Sequence, residues 1–320
     1  MIDAASYSFA RTRCVDADEA AHRLRAWDQI YEQIAPGRFE GDTTDMWLDG
    51  MQVFRERSNR RVHQSGRAWP GSVTFGIPLF MDGDARFCGQ PMGLDSVLVL
   101  GPETELDFLT SPTLDIVGIS IPQAAPATVE HCQLDLEFAS TISAKRLVHL
   151  DRESAARLRQ LTLSVFKTIE AEPTRLSAEG VRAQIRDELI DGLANAFIGV
   201  AAQPEVAEHR QNERAVVRRA REYVLAHAYE PVTIEQLCKV LGLSRRSLQY
   251  AFEHVLDISP AQYLRAARLN GVRRELKATP KSEGSIQDIA ARWGFWHLGH
   301  FTACYRELFG CRPSETPRPA

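Results

Sequence analysis

Two stretches of this chain follow one plan, and few folds accommodate both. Thr233 to Leu256 (TIEQLCKVLGLSRRSLQYAFEHVL) reads as two short helices meeting at Gly242. In the first, Ile234, Leu237, Val240 and Leu241 fall on one apolar stripe. Gly242 can end a helix in the left-handed conformation without steric cost. Ser244 stands where the second helix needs a hydroxyl to accept an unpaired backbone N–H. Leu248, Ala251, Phe252 and Leu256 then make a buried face, with Arg245, Arg246, Gln249 and Tyr250 opposite. Ser285 to Phe309 (SIQDIAARWGFWHLGHFTACYRELF) repeats the plan: Ile286, Ile289 and Ala290, a turn at Gly294, then Phe301, Tyr305, Leu308 and Phe309.

Between the copies, Ser259 to Thr279 opens with Ser259 as cap and Pro260 in the first turn. Leu264, Ala267, Leu269, Val272 and Leu276 can face inward along it. A helix that offers bidentate donors outward and is pinned by a partner helix meets the requirement for reading a major groove. One copy alone fits equally well an ordinary helical hairpin with a solvated arginine face. Two copies on one rigid helix would hold both readers on one side of a duplex, in grooves roughly 34 Å apart.

This arrangement resembles the DNA-binding domain of the AraC/XylS family of bacterial transcription regulators. The resemblance covers about residues 214–316 and rests on four runs: I-x-x-L-C-x-x-L-G-L-S-x-x-x-L-x-x-x-F, SPAQYLRAARL, I-A-x-x-W-G-F and FGCRPSE. GFWHLGHF together with RLNGVRREL is most similar to the family's ethanolamine-utilisation branch; no ligand is carried over from it. By that resemblance Arg246, Gln249 and Tyr250 hold base-facing positions, and Arg245 a phosphate-facing one. Arginine can be bidentate to guanine and glutamine to adenine, each worth about 1–3 kcal/mol of discrimination. The second copy departs from the pattern. Its matching positions are Leu298, Gly299, His300 and Ala303, where polar side chains are common, and Trp296 and His297 stand where Ser or Asp often caps. The first reader is therefore expected to supply most direct readout, and the second position, shape and apolar contact. Packing of Trp296 into the core would offset the missing cap. Arg306 is assigned to phosphate; Arg268, Arg273, Arg274, Arg292 and Arg312 are expected in solvent or in helix ion pairs.

Charge is split along the chain. From Arg214 onward 17 Lys+Arg face 10 Asp+Glu, a net +7. The preceding part carries 21 against 32, a net −11, for −4 in all. A basic module on an acidic body is the electrostatic footprint of a nucleic-acid binder joined to another function.

Asp16 to Ala35 reads as a helix, with Ala20, Leu24, Trp27, Ile30, Tyr31 and Ile34 at helical spacing and Pro36–Gly37 as its stop. From about Gly41 to 125, short β-branched or aromatic runs alternate with Gly, Pro and Asp clusters, which suggests a small antiparallel barrel or sandwich. The family resemblance implies a cupin-like barrel there. Metal-dependent cupins need an H-x-H pair, and none of His22, His63, His131 and His149 forms one. His131–Cys132 would point to opposite faces of a strand. No dyad, triad or Gly-rich phosphate loop is present, so neither an enzyme, a cofactor nor a metal is expected. The six scattered cysteines lack a C-x-x-C pair and do not support the four-cysteine zinc site of some DNA-repair relatives. With no apolar stretch near 18 residues and no signal-peptide pattern, reduced thiols in the cytoplasm, near the nucleoid, and no membrane are the expectation.

Residues 151–200 return to helix, with Val181, Ile185, Leu189, Leu193 and Phe197 on one face. That face could cover the barrel or pair with a twin; the resemblance favours a homodimer. Residues 201–213 are polar and Pro-interrupted, an interdomain linker. The expected fold is thus α+β: a cupin-like sensing barrel with a helical dimerisation element in 1–200, then an all-α tandem helix-turn-helix domain in 214–320. The expected function is an effector-responsive activator acting on double-stranded DNA with RNA polymerase. Trp47, Arg55, His63, Trp69 and Phe75, with Phe80 and Phe87, are candidates to line a pocket for an unknown small-molecule effector. A ligand-independent repressor or architectural protein is the alternative, and a cupin enzyme fused to a DNA anchor a third reading.

Overall fold

In a computed structural model, the structure describes residues 7–102, 104–123, 145–198, 211–227, 229–230 and 232–319. The chain divides into two compact units. The first is residues 1–30, 40–59 and 64–206; the second is residues 31–39, 60–63 and 207–320.

The strands are β1 (Tyr7–Cys14), β2 (Asp28–Gln33), β3 (Gly41–Leu48), β4 (Met51–Ser58), β5 (Val62–Arg67) and β6 (Ser72–Asp82), followed by β7 (Ala85–Phe87), β8 (Gln90–Met92), β9 (Ser96–Leu100), β10 (Glu105–Leu109), β11 (Thr113–Pro122) and β12 (Leu147–His149). Among the described residues they form two sheets and not one closed ring. The larger has the order β1-β3-β4-β11-β6-β9-β12, antiparallel throughout; the smaller has the order β2-β5-β10-β7-β8. Alternation along a strand sorts side chains between two cores. In β9, Val97 and Val99 join the core under the helices, while Leu98 and Leu100 join Phe87, Leu106 and Phe108 in the other. The α+β expectation is met, but strands also lie at 7–14, 28–33 and 147–149, outside the expected span of 41–125.

The helix expected over 16–35 is a correction. Only α1 (Ala17–Ala21) forms, capped by the Asp16 carboxylate on the N–H groups of Asp18 and Glu19. Ala26 then takes a left-handed backbone (φ 67), which ends any helix, and the rest becomes β2 in a sheet. Pairing with distant β5 outweighs a weak local helical preference.

Helices α2 (Arg152–Ala171) and α3 (Glu179–Ala196), joined by a 3₁₀ turn at Pro173–Ser177, lie on the larger sheet. Ile185, Leu189, Leu193 and Phe197 are buried in that core, and Phe197 meets Phe75 edge-on at 5.7 Å. The face offered for a twin is therefore spent on covering the sheet. Of the linker expected at 201–213, residues 201–210 lie outside the described residues and 211–213 open helix α4 (Gln211–Ala226). His131 and Cys132 also lie outside them. Among the described residues no helix is long and apolar enough to cross a membrane, and no group of three His, Cys, Asp or Glu could hold a metal ion.

Candidate nucleic-acid interface

Within the second unit, α5 (Ile234–Leu241) starts at a capping box: Thr233 accepts from the Gln236 backbone, and the Gln236 amide oxygen accepts from Thr233 N–H. It ends at Gly242 in the left-handed region (φ 68). Ser244 caps α6 (Arg245–Leu256) through the Ser247 N–H at 3.1 Å. Ser259 and Gln262 make a second capping box for α7 (Pro260–Ala278), and Ser285 and Asp288 a third for α8 (Ile286–Arg292). The Ser285 hydroxyl and backbone bonds hold the Asp288 carboxyl below its usual pKa. Helix α9 (Leu298–Phe309) is the exception: His297 sits at its cap position with no side-chain bond.

Apolar faces decide how these helices pack. Leu237, Leu241, Leu248, Ala251, Phe252 and Leu256 are buried, as are Leu264, Ala267, Leu269, Val272 and Leu276 on α7. Val240, expected on the inner stripe, is exposed instead, since Leu237 and Leu241 already fill that face. Both reader helices rest on α7: Phe252 lies 5.3 Å from the ring of Tyr263, and Phe301 and Tyr305 share a core with Leu269 and Val272. Gly271 admits Trp293, whose ring would lie 2.2 Å from any Cβ there. The indole N–H of Trp293 donates to Glu275 at 2.6 Å.

The faces left outward carry the expected reading residues. Arg245, Arg246 and Tyr250 are exposed and Gln249 is half-buried; His297, Leu298, Gly299, His300, Ala303 and Arg306 are all exposed. Arg245 is ion-paired with Glu235, Gln249 donates to Glu253, and the Tyr250 ring stands 3.8 Å from His254. Trp296 does not enter the core. It is 72% exposed and helps line an open pocket of about 370 Å³ with Tyr229, Asp288, Ala291, Arg292 and Gly294. Arg273 is also corrected: instead of facing solvent it lies over Phe309 at 4.6 Å and donates to the Tyr305 hydroxyl at 3.2 Å. Arg268 is partly buried and donates to the Val232 carbonyl. Arg292 pairs with Glu275 as an interhelical ion pair.

The effector candidates of the first unit lie in two cores and at its surface. Phe75 fills the helix-side core, Phe87 the other core, and Phe80 is exposed. Arg55 is locked bidentate to Asp115 at 2.8 and 2.7 Å. Trp47 and Trp69 do meet, at 5.9 Å, both buried. His63 belongs to the second unit, 4.0 Å from Glu32. Sequence reading missed Glu32, Gln33 and Asn270, buried polar residues of that unit whose pairing spans more than 200 positions and leaves no local signal.

Comparison with known proteins fits this geometry. A family model described as a helix-turn-helix domain matches residues 237–318. The chain is 42% identical over 104 residues to the probable thc operon regulatory protein of Rhodococcus erythropolis, covering 32% of this chain and 31% of that protein. It is 37% identical over 87 residues to the XylDLEGF operon transcriptional activator of Pseudomonas putida, 27% of each. The match thus spans about a third or less of these relatives. They are named as regulators and not enzymes. The solved AraC-like transcriptional activator CuxR aligns over 84% of this chain and 96% of its own, with a TM-score of 0.43 and 15% identity. Residues 237–318 thus match a helix-turn-helix domain, and the relatives that share this stretch are named as transcription regulators.

Proposed function

We propose that the chain is a sequence-specific DNA-binding transcription regulator whose two readers enter successive major grooves. One observation carries this reading: α6 and α9 rest on the same helix, α7, and both turn their expected reading residues outward. Arg246, Gln249 and Tyr250 read base edges, and Arg245 and Arg306 meet phosphate. Leu298 and Ala303 touch thymine methyls, His300 bonds a base or phosphate, and His297 and Gly299 contribute position and shape. The net +7 of the C-terminal part supports a sequence-independent electrostatic attraction beneath that readout.

The fuller reading is a cytoplasmic, effector-responsive activator that works as a homodimer with RNA polymerase as partner, the two-sheet unit serving as sensor. The Pseudomonas putida relative is named as a transcriptional activator, which supports the sign of regulation. A dimer would use surfaces other than the buried face of α3.

The test is equilibrium binding of the full chain to its own upstream region and to unrelated duplexes, at two salt concentrations, with and without cell extract as a source of effector. Tight binding selective for one sequence is the expected result. Equal binding to every duplex, unchanged by extract, would move the function to the architectural alternative.

A further inference from the structure

Residues 31–39 and 60–63 belong to the helical unit although they lie far from it in sequence. Among the described residues their contacts fall on four of its helices: Glu32 takes Arg221 of α4, and the rest bear on the two readers and the helix between them. Gln33 forms a reciprocal pair with Asn270 of α7: its N–H donates to Oδ1 at 3.2 Å, and Nδ2 donates back to its carbonyl at 2.9 Å. The Gln33 side-chain Nε2 lies 2.6 Å from the Leu308 carbonyl, and Gly37 N–H reaches the carbonyls of Glu307 and Leu308 at 3.0 and 3.1 Å. These are among the last carbonyls of α9, which have no partner within the helix. Arg61 Nη1 lies 2.9 Å from the carboxylate of Asp257, the residue that ends α6. So one pair of short segments holds the C-terminal ends of both reader helices and the middle of the helix between them.

We infer that these segments are a brace that sets the spacing of the two readers, with Gln33 and Asp257 as positioning residues for two-site DNA recognition. The inference rests on the tandem reading proposed above. Neither residue is placed among those that meet DNA. Hydrogen bonds to backbone carbonyls fix direction as well as distance. The Gln33 and Asn270 side chains are buried, so they gain nothing by letting go to water. Loss of the tie at one end should leave each reader intact and misalign the pair.

The experiment uses the full-length chain. Wild type selects binders from a random duplex pool; the selected two-box duplex is then compared with the same duplex carrying either box scrambled. Gln33→Ala should bind the two-box duplex roughly tenfold more weakly and each one-box duplex within about twofold of wild type. Gln33→Glu keeps the size but loses the donor, and should behave the same way. Asp257→Asn, which tolerates the left-handed backbone, removes the ion pair to Arg61 without a folding risk and should shift affinity in the same direction. Equal losses on all duplexes, the signature of general destabilisation, would overturn the brace, as would no loss on the two-box duplex. If wild type selects no two-box sequence, the tandem reading itself fails, and that is seen before any variant is made.

Discussion

The phenol of Tyr263 donates to Oε2 of Glu32 at 3.1 Å, and both side chains are buried. The same carboxylate takes the Arg221 guanidinium at 3.4 Å, with His63 Nδ1 at 4.0 Å. A carboxylate so deep is tolerable only while such partners stay in place.

Burial, and then the charge of Glu32, hold the Tyr263 phenol well above its usual pKa; Arg221 and Arg274 oppose the shift. The fold therefore favours the neutral phenol. Its stabilisation is complete below the ordinary phenol value of about 10 and falls as pH rises above it, because the unfolded chain gives up the proton first. Tyr263→Phe should cost about 1–3 kcal/mol near neutral pH, by losing a bond to a charged acceptor. It should also flatten the alkaline decline, leaving a residual slope from Tyr305, which burial raises too. Urea unfolding of both proteins near neutral pH and above about pH 10 checks this. An alkaline slope as steep as wild type would assign the titration elsewhere.

Gly271→Ala sets two effects against each other. Alanine favours a helix interior by about 1 kcal/mol over glycine. Here its Cβ would lie 2.2 Å from the Trp293 ring, and overpacking of that kind costs about 1–3 kcal/mol. The ring is also held by its bond to Glu275, so it has little freedom to yield. The variant should melt below wild type, and Trp293→Leu in the same chain should recover part of the loss. A variant that melts higher would show that α7 and the Trp293 turn are not packed this closely.

What the sequence made legible follows from where its signals act. Gly242, Ser244 and Ser259 with Pro260 each declare a helix end within a few residues, and all three ends form as read. Segment 16–35 shows the opposite case. Its apolar spacing fits a helix, but β5 lies some thirty residues on, and the left-handed turn at Ala26 has no glycine to announce it. The partners of Gln33 and Glu32 lie still farther away. A buried polar pair of that span is written in neither periodicity nor local turn chemistry.

Among the readers, Arg246→Ala should relax specificity at one base position, and equal losses on all sequences would refute direct readout by that residue. Gln249 presents an amide that can be bidentate to adenine, so Gln249→Ala should lose about 1–3 kcal/mol of discrimination. Leu298, 39% exposed, offers only apolar contact, and Leu298→Ala should cost less specificity than Gln249→Ala. Competition binding against single-base variants of a selected site measures both. A larger loss at Leu298 would reverse the assigned division of labour between the two readers.

Helix α9 is the one reader without a side-chain cap. His297 has the extended backbone of a cap residue (φ −106, ψ 98), and its carbonyl already accepts from Phe301 N–H at 2.9 Å. Only the short side-chain acceptor is missing, whereas Ser244 supplies one for α6. His297→Ser should therefore stabilise the unit by about 0.5–1 kcal/mol, the usual worth of a serine cap. Thermal melting of the full chain gives the direct comparison. The same substitution removes an imidazole from the proposed DNA face, so affinity should fall slightly while stability rises. If stability falls as well, the imidazole is stabilising the turn through packing, and its absence from the usual cap chemistry is a feature of this fold and not a vacancy.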